Sequence, residues 1–148
     1  MNDPVAGEEK PARDDLVDAL VRTAHATMAV LTRVGAENDL SMTQMRALAI
    51  LRGRRLRMTA LADYLGLEKS TMTGLVDRAE RRGLVARAPS ADDRRAVDVL
   101  LTPAGIELGE HVGPRVAAEL SALTGRLTPD ERTAVRELLE RMLDGRDE

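Results

Sequence analysis

The sequence predicts a mainly helical chain interrupted by one small β-hairpin. Apolar residues recur at spacings of three and four through most of its 148 positions. Aromatic residues are almost absent, with Tyr64 alone, so the core must be built from Leu, Val, Ala, Ile and Met, a set that favours helices. The one clear two-residue alternation brackets a charged turn, PSADDRR at residues 89–95.

The elements follow in order. Residues 1–11, MNDPVAGEEKP, hold two prolines and no periodicity, and read as a flexible arm. From Asp14, the residues Leu16, Leu20, Ala24, Thr27, Leu31 and Val34 form one helical stripe that fades at Gly35. Ser41 with Gln44 is a capping-box signature, opening a second helix that carries Met45, Leu48, Ala49 and Leu51 to about Gly53. A short helix over ALADYLG ends at Gly66. Glu68 to Arg82 predicts a further helix, with Met72, Leu75, Val76 and Ala79 as its apolar stripe and Gly83 as its stop. A two-stranded hairpin comes next, its strands holding Leu84, Ala86 and Ala88 on one side of the tip and Val97, Val99 and Leu101 on the other. Thr102-Pro103 and Thr128-Pro129 are N-cap and N1 pairs, the second reinforced by Glu131, and they start helices over about 103–125 and 129–144. Gly113-Pro114 predicts a kink in the first of these.

Composition narrows the function. No cysteine is present, which removes disulfides, thiolate catalysis and Cys-rich zinc sites. His25 and His111 are far apart and lack metal-ligand spacing, and no glycine-rich phosphate loop or nucleophile with its base is visible, so we expect no enzyme, metal or cofactor. No run reaches eighteen apolar residues and no secretory pattern opens the chain, so the expected location is cytoplasmic, away from membranes. Scarce aromatics argue against single-strand binding by base stacking. The net charge is −3, yet residues 52–95 hold eleven bases against six acids while the remainder holds eleven against nineteen. A basic middle between acidic ends suits a polyanionic partner.

Two short helices joined by a tight turn, followed by a basic-tipped hairpin, make a winged helix-turn-helix. The second helix presents Lys69, Ser70, Thr71, Thr73, Gly74 and Arg78 away from its apolar stripe. Hydroxyls there can bond to base edges or phosphates of double-stranded DNA, and an arginine can bond guanine bidentately. At the hairpin tip Arg94 and Arg95 would face a narrow minor groove, with Asp93 holding the Arg95 guanidinium in place. The apolar stripe of the first helix, and Val135, Leu138, Leu139, Met142 and Leu143 on the last, are faces that so small a domain can hardly cover alone, so they suit a homodimer, the alternative being that they close an intramolecular core. The organisation expected is one domain over 12–148, with a winged helix-turn-helix at 41–102 flanked by dimerisation helices at 12–40 and 103–148.

Residues 57–105, RMTALADYLGLEKSTMTGLVDRAERRGLVARAPSADDRRAVDVLLTPAG, resemble the winged-helix segment of the MarR-type bacterial transcription regulators. The match comprises the LAD-LGL turn, the ST-T-LVDR helix, RGLV at the strand entry, D-x-R at Asp93 and Arg95, and LT-x-x-G at Leu101, Thr102 and Gly105. It extends outward through Ser41-Met42-Thr43-Gln44. The resemblance implies a dimeric repressor on a near-palindromic operator, released by a small effector that is often aromatic and anionic. It places Arg22, Arg46 and Tyr64 at positions that line the pocket in salicylate-binding relatives, with His25 one helical turn from Arg22. Many members carry a basic residue where this chain has Gly74, so operator preference does not transfer directly. The competing reading is an adaptor that uses a winged helix to bind protein and not DNA.

Overall fold

The computed structural model describes residues 14–144. Nine elements run α1 (Asp15–Glu37), α2 (Met42–Ile50), β1 (Leu56–Arg57), α3 (Met58–Leu65), α4 (Lys69–Arg81), β2 (Val85–Pro89), β3 (Val97–Leu101), α5 (Pro103–Thr124) and α6 (Pro129–Leu143). The arm expected at 1–11 lies outside the described residues.

Local chemistry sets the boundaries. Asp14 caps α1 by accepting from the Leu16 and Val17 amides. Both capping boxes form: the Ser41 hydroxyl accepts from the Gln44 amide while the Gln44 side chain accepts from the Ser41 amide, and Thr128 does the same with Glu131. Thr102 caps α5, with Pro103 at its first position. Gly83 ends α4 at φ +71°, the left-handed region; its amide bonds to the Glu80 carbonyl and that of Leu84 to Ala79, a Schellman closure that turns the chain into β2. α5 then lies directly against this turn. A Cβ on Gly105 would stand 2.0 Å from the Leu84 carbonyl oxygen, so the approach needs glycine.

Two differences from the sequence reading appear. The hairpin is part of a three-stranded antiparallel sheet ordered β1-β3-β2, with Leu56 opposite Val99 and Val85 opposite Leu101. A two-residue strand is too short to display alternation. α2 stops at Ile50, and Gly53 sits in the following turn at φ +70°. α5 runs as one helix through Pro114, in keeping with the start read at Thr102-Pro103.

The core sits inside the winged helix. Its most deeply buried side chains are Val34 of α1, Leu51 at the end of α2, Leu61 of α3, Met72 and Val76 of α4, and Val99 of β3. Burying a side chain of that size contributes about 1.5–3 kcal/mol, so the stripe on α4 holds the helix against the rest of the domain. The two ends of the chain are different. Leu16, Val17, Leu20 and Val21 on α1 are exposed, and α6 has no buried residue, with Leu138 at 50% and Leu143 at 57%. Among the described residues no helix is long and apolar enough to cross a membrane, and no group of acidic or histidine side chains is placed to hold a metal.

Candidate nucleic-acid interface

Because Met72, Leu75, Val76 and Ala79 face inward, α4 must turn its other side to solvent. Lys69, Ser70, Thr71, Thr73 and Arg78 are exposed there, with Gly74 half-buried among them. The Thr73 hydroxyl donates to the Lys69 carbonyl at 2.9 Å, which fixes its rotamer and leaves its oxygen free to accept. The wing tip is close by. Lys69 and Thr73 of α4, Arg57 of β1, and Arg95 with Val97 of the wing all line one hollow of about 540 Å³.

The arginines of the basic segment divide into two sets. One set is engaged within the fold. Arg82 donates to the Asp39 and Asn38 carbonyls, Arg81 to the Asp77 carbonyl, and Arg57 lies 4.0 Å from Asp92. Arg87 on β2 donates to Asp77 at 2.5 Å and also to Glu80, tying the wing to α4. The Asp77 hydrogen bond is the main reason that its pKa is raised above the ordinary arginine value, with burial opposing and Glu80 adding to the rise. Arg55 donates to Asp98 and to the Pro89 carbonyl. The other set, which Lys69 joins, makes no side-chain hydrogen bond or ion pair among the described residues: Arg52, Lys69, Arg78, Arg94 and Arg95. Four of these five are the cations singled out from sequence for DNA contact.

Asp93 behaves differently from the expectation. Its carboxylate accepts from the Arg95 backbone amide at 3.0 Å, and its carbonyl accepts from the Ala96 amide at 2.9 Å. This is an Asx-turn, in which a short acidic side chain bonds to the backbone two residues on. Asp93 therefore shapes the tip, and the Arg95 guanidinium is left to solvent.

The four residues expected to hold an effector fall into two places. Arg46 donates to the Tyr64 carbonyl at 2.8 Å, and the Arg54 guanidinium stacks 5.2 Å from the centre of the Tyr64 ring, which is 46% exposed. Arg22 and His25 line a separate hollow on α1 with Asp15, Asp18 and Val21, and neither Arg46 nor Tyr64 reaches it. Sequence reasoning missed Arg54, Arg55 and Arg87. The one local signal was Asp77 and Glu80, two acids three apart on α4 with an arginine on the strand that follows.

Residues 38–96, which span the helix-turn-helix and the wing tip, match the model of the MarR family. The uncharacterised HTH-type transcriptional regulator YfiV of Bacillus subtilis is 34% identical over 79% of this chain and 80% of its own length. The multiple antibiotic resistance protein MarR of Salmonella typhimurium is 31% identical over 71% and 74%. Among solved structures, a MarR-family transcriptional regulator from Silicibacter pomeroyi superposes with a TM-score of 0.73 at 30% identity, covering 86% of each chain. A mutant MarR from Escherichia coli, complexed with operator DNA, gives 0.73 at 25% identity over 88% of this chain and 94% of that one. BpsR from Bordetella bronchiseptica, whose DNA binding is regulated by 6-hydroxynicotinic acid, gives 0.72 at 26% over 96% and 99%. The chain described here belongs to the MarR family of winged helix-turn-helix transcription regulators.

Proposed function

We propose that this regulator is a cytoplasmic homodimer that binds a near-palindromic operator in double-stranded DNA and represses transcription until a small anionic effector releases it. The observation that carries the DNA reading is the pairing pattern of the cations. Lys69 and Arg78 on α4, and Arg94 and Arg95 at the wing tip, are exposed and without partners among the described residues, while the arginines between them are engaged by the fold. Uncompensated cations at both elements that reach a duplex favour phosphate and base contacts, and an adaptor binding only protein would have no use for them. Ser70, Thr71 and Thr73 add hydroxyls on the same helix, Gly74 allows close backbone approach, and Asp93 sets the shape of the tip.

Dimerisation is supported by the unburied apolar side chains of α1 and α6. A two-fold dimer repeats α4 about 34 Å away, one turn of DNA. In this organisation 12–40 and 103–148 join the two copies and 41–102 binds the operator. Repression follows wherever the operator overlaps a promoter.

For the effector, Arg46 beside Tyr64 is the seat the geometry favours, and Arg22 with His25, in their separate hollow on α1, form a second candidate place. Arg46 commits one nitrogen to the Tyr64 carbonyl, which leaves donors for a carboxylate beside an aromatic surface. The relative BpsR responds to an aromatic acid of that class. The test is selection of bound fragments from genomic DNA, followed by footprinting with and without aromatic acids. The expected footprint has two half-sites about 10 bp apart, centre to centre, that lose protection when an effector is added. Random recovery of fragments would overturn the reading.

A further inference from the structure

One charged residue is buried in the wing. Asp98 in the middle strand β3 is 7% exposed, and it sits in register between Arg57 of β1 and Ala88 of β2. A carboxylate at such a place is costly unless it is paired. Arg55, immediately before β1, pairs with it: Nε donates to Asp98 Oδ2 at 2.8 Å, and Nη2 of the same guanidinium donates to the Pro89 carbonyl at 2.7 Å. One planar group thus touches the last residue of β2 and the second residue of β3 while anchored to the segment that enters β1.

We infer that Arg55 and Asp98 are positioning residues for the wing: their ion pair, closed on the Pro89 carbonyl, sets where Arg94 and Arg95 stand relative to α4. Pro89 is the last residue of β2, and beyond it the tip is closed by the Ser90 amide on the Ala96 carbonyl, the Ala96 amide on the Asp93 carbonyl and the Arg95 amide on the Asp93 carboxylate, with Arg57 4.0 Å from Asp92. An arginine fork suits this task because its two donors are fixed at one angle, so holding both acceptors fixes the strands that carry them. A lysine has the charge without the fork. Arg87 fastens the wing to α4 from the β2 side, and Arg55 fastens the wing's own strands, so the two act on different freedoms of the same element.

The consequence for DNA binding rests on the proposed duplex contacts of Arg94 and Arg95, and the test separates the two. Arg55→Lys and Asp98→Ala both break the fork, but they change net charge by zero and by +1. Charge alone would leave operator affinity unchanged in the first and raise it in the second. The inference predicts weaker binding in both, by at least about threefold, and a smaller further loss from Arg95→Ala in either background than in the wild type. Hydrogen exchange is read on the same proteins without DNA: the Ser90 and Ala96 amides should exchange about tenfold faster, with the Val76 and Ala79 amides of α4 unchanged. Should Asp98→Ala fail to fold, Arg55→Lys carries the comparison alone. Unchanged exchange at Ser90 and Ala96 overturns the clasp. Faster exchange with unchanged or tighter operator binding overturns its role in DNA contact. A wild-type protein that binds no duplex would instead sink the regulator reading, with the clasp still judged by exchange.

Discussion

Arg33 of α1 and Glu119 of α5 form an ion pair across the two helices that lead away from the winged helix, and Arg115 joins it, reaching Glu119 at 3.6 Å and Glu37 at 2.9 Å. The hydrogen bond from Arg33 is the main cause that lowers the Glu119 carboxyl below the usual carboxylate range, against partial desolvation. A carboxyl whose folded pKa is depressed contributes stability that is present above its unfolded pKa and disappears as pH falls through the folded value. Glu119→Gln should therefore melt lower than the wild type at pH 7, and the gap should close on acidification below the normal glutamate range, about pH 4.3. Thermal unfolding of both proteins from pH 7 to pH 3 checks this, and a gap that widens in acid would contradict it.

Arg87 holds Asp77 and Glu80 together. Arg87→Met leaves both carboxylates uncompensated on the helix proposed to face DNA. Stability should fall by about 1 kcal/mol, as for a partly exposed pair, or a few degrees in the melting temperature. Operator affinity should fall further than that change accounts for, because two acids now repel phosphates. Asp77→Asn, which removes one of those acids, should restore part of the affinity in the Arg87→Met background.

Gly74 and Arg78 make an opposed pair of effects. A Cβ at Gly74 would stand 3.4 Å from Arg78 Nη1, an ordinary van der Waals contact, so alanine fits beside the guanidinium where it lies. Gly74→Ala should raise helix stability by up to about 1 kcal/mol while leaving Arg78 in place. Arg78→Ala should relax preference at one base pair, at a cost of about 1–3 kcal/mol if guanine is read. A competition panel of single-base operator variants would show the Arg78→Ala change at one position and no change there for Gly74→Ala. Equal losses on operator and random duplexes would argue that Arg78 contacts phosphate.

Leu139 is 44% exposed on α6, among Val135, Leu138, Met142 and Leu143. Leu139→Glu puts a charge into the face proposed to join two copies. Sedimentation should show half the wild-type mass at micromolar concentration, and operator affinity should drop steeply as the second half-site is lost. A variant that keeps the wild-type mass would place the dimer contact elsewhere.

Much of the architecture is legible in the sequence because its signals are local. Ser41 with Gln44 and Thr128 with Glu131 are caps written in four residues, and both form as read. The buried stripe of α4 repeats with helical period, so its exposed face follows by elimination. What escapes detection depends on chain segments far apart. Arg55 meets Asp98 across 43 residues, and β1 pairs through only Leu56 and Arg57, so neither leaves a periodic trace. Asp93 departs from its expected role because a carboxylate two residues before an arginine can reach either its side chain or its amide, and at a tight tip the amide is nearer. The effector residues rest on likeness to relatives, and Arg46 meets Tyr64 only through a backbone carbonyl, which a side-chain pattern cannot reveal.

The most direct test of the central claim is fluorescence anisotropy of the purified protein on the selected operator and on a scrambled duplex, across a salt series, with the wild type and Arg95→Ala. The account predicts tight, selective binding whose affinity falls steeply with salt, and a log–log slope shallower by about 0.9 when Arg95 is removed, the change expected when one fewer phosphate is neutralised. Equal weak binding to both duplexes, or a slope and affinity that Arg95→Ala leaves unchanged, would contradict it.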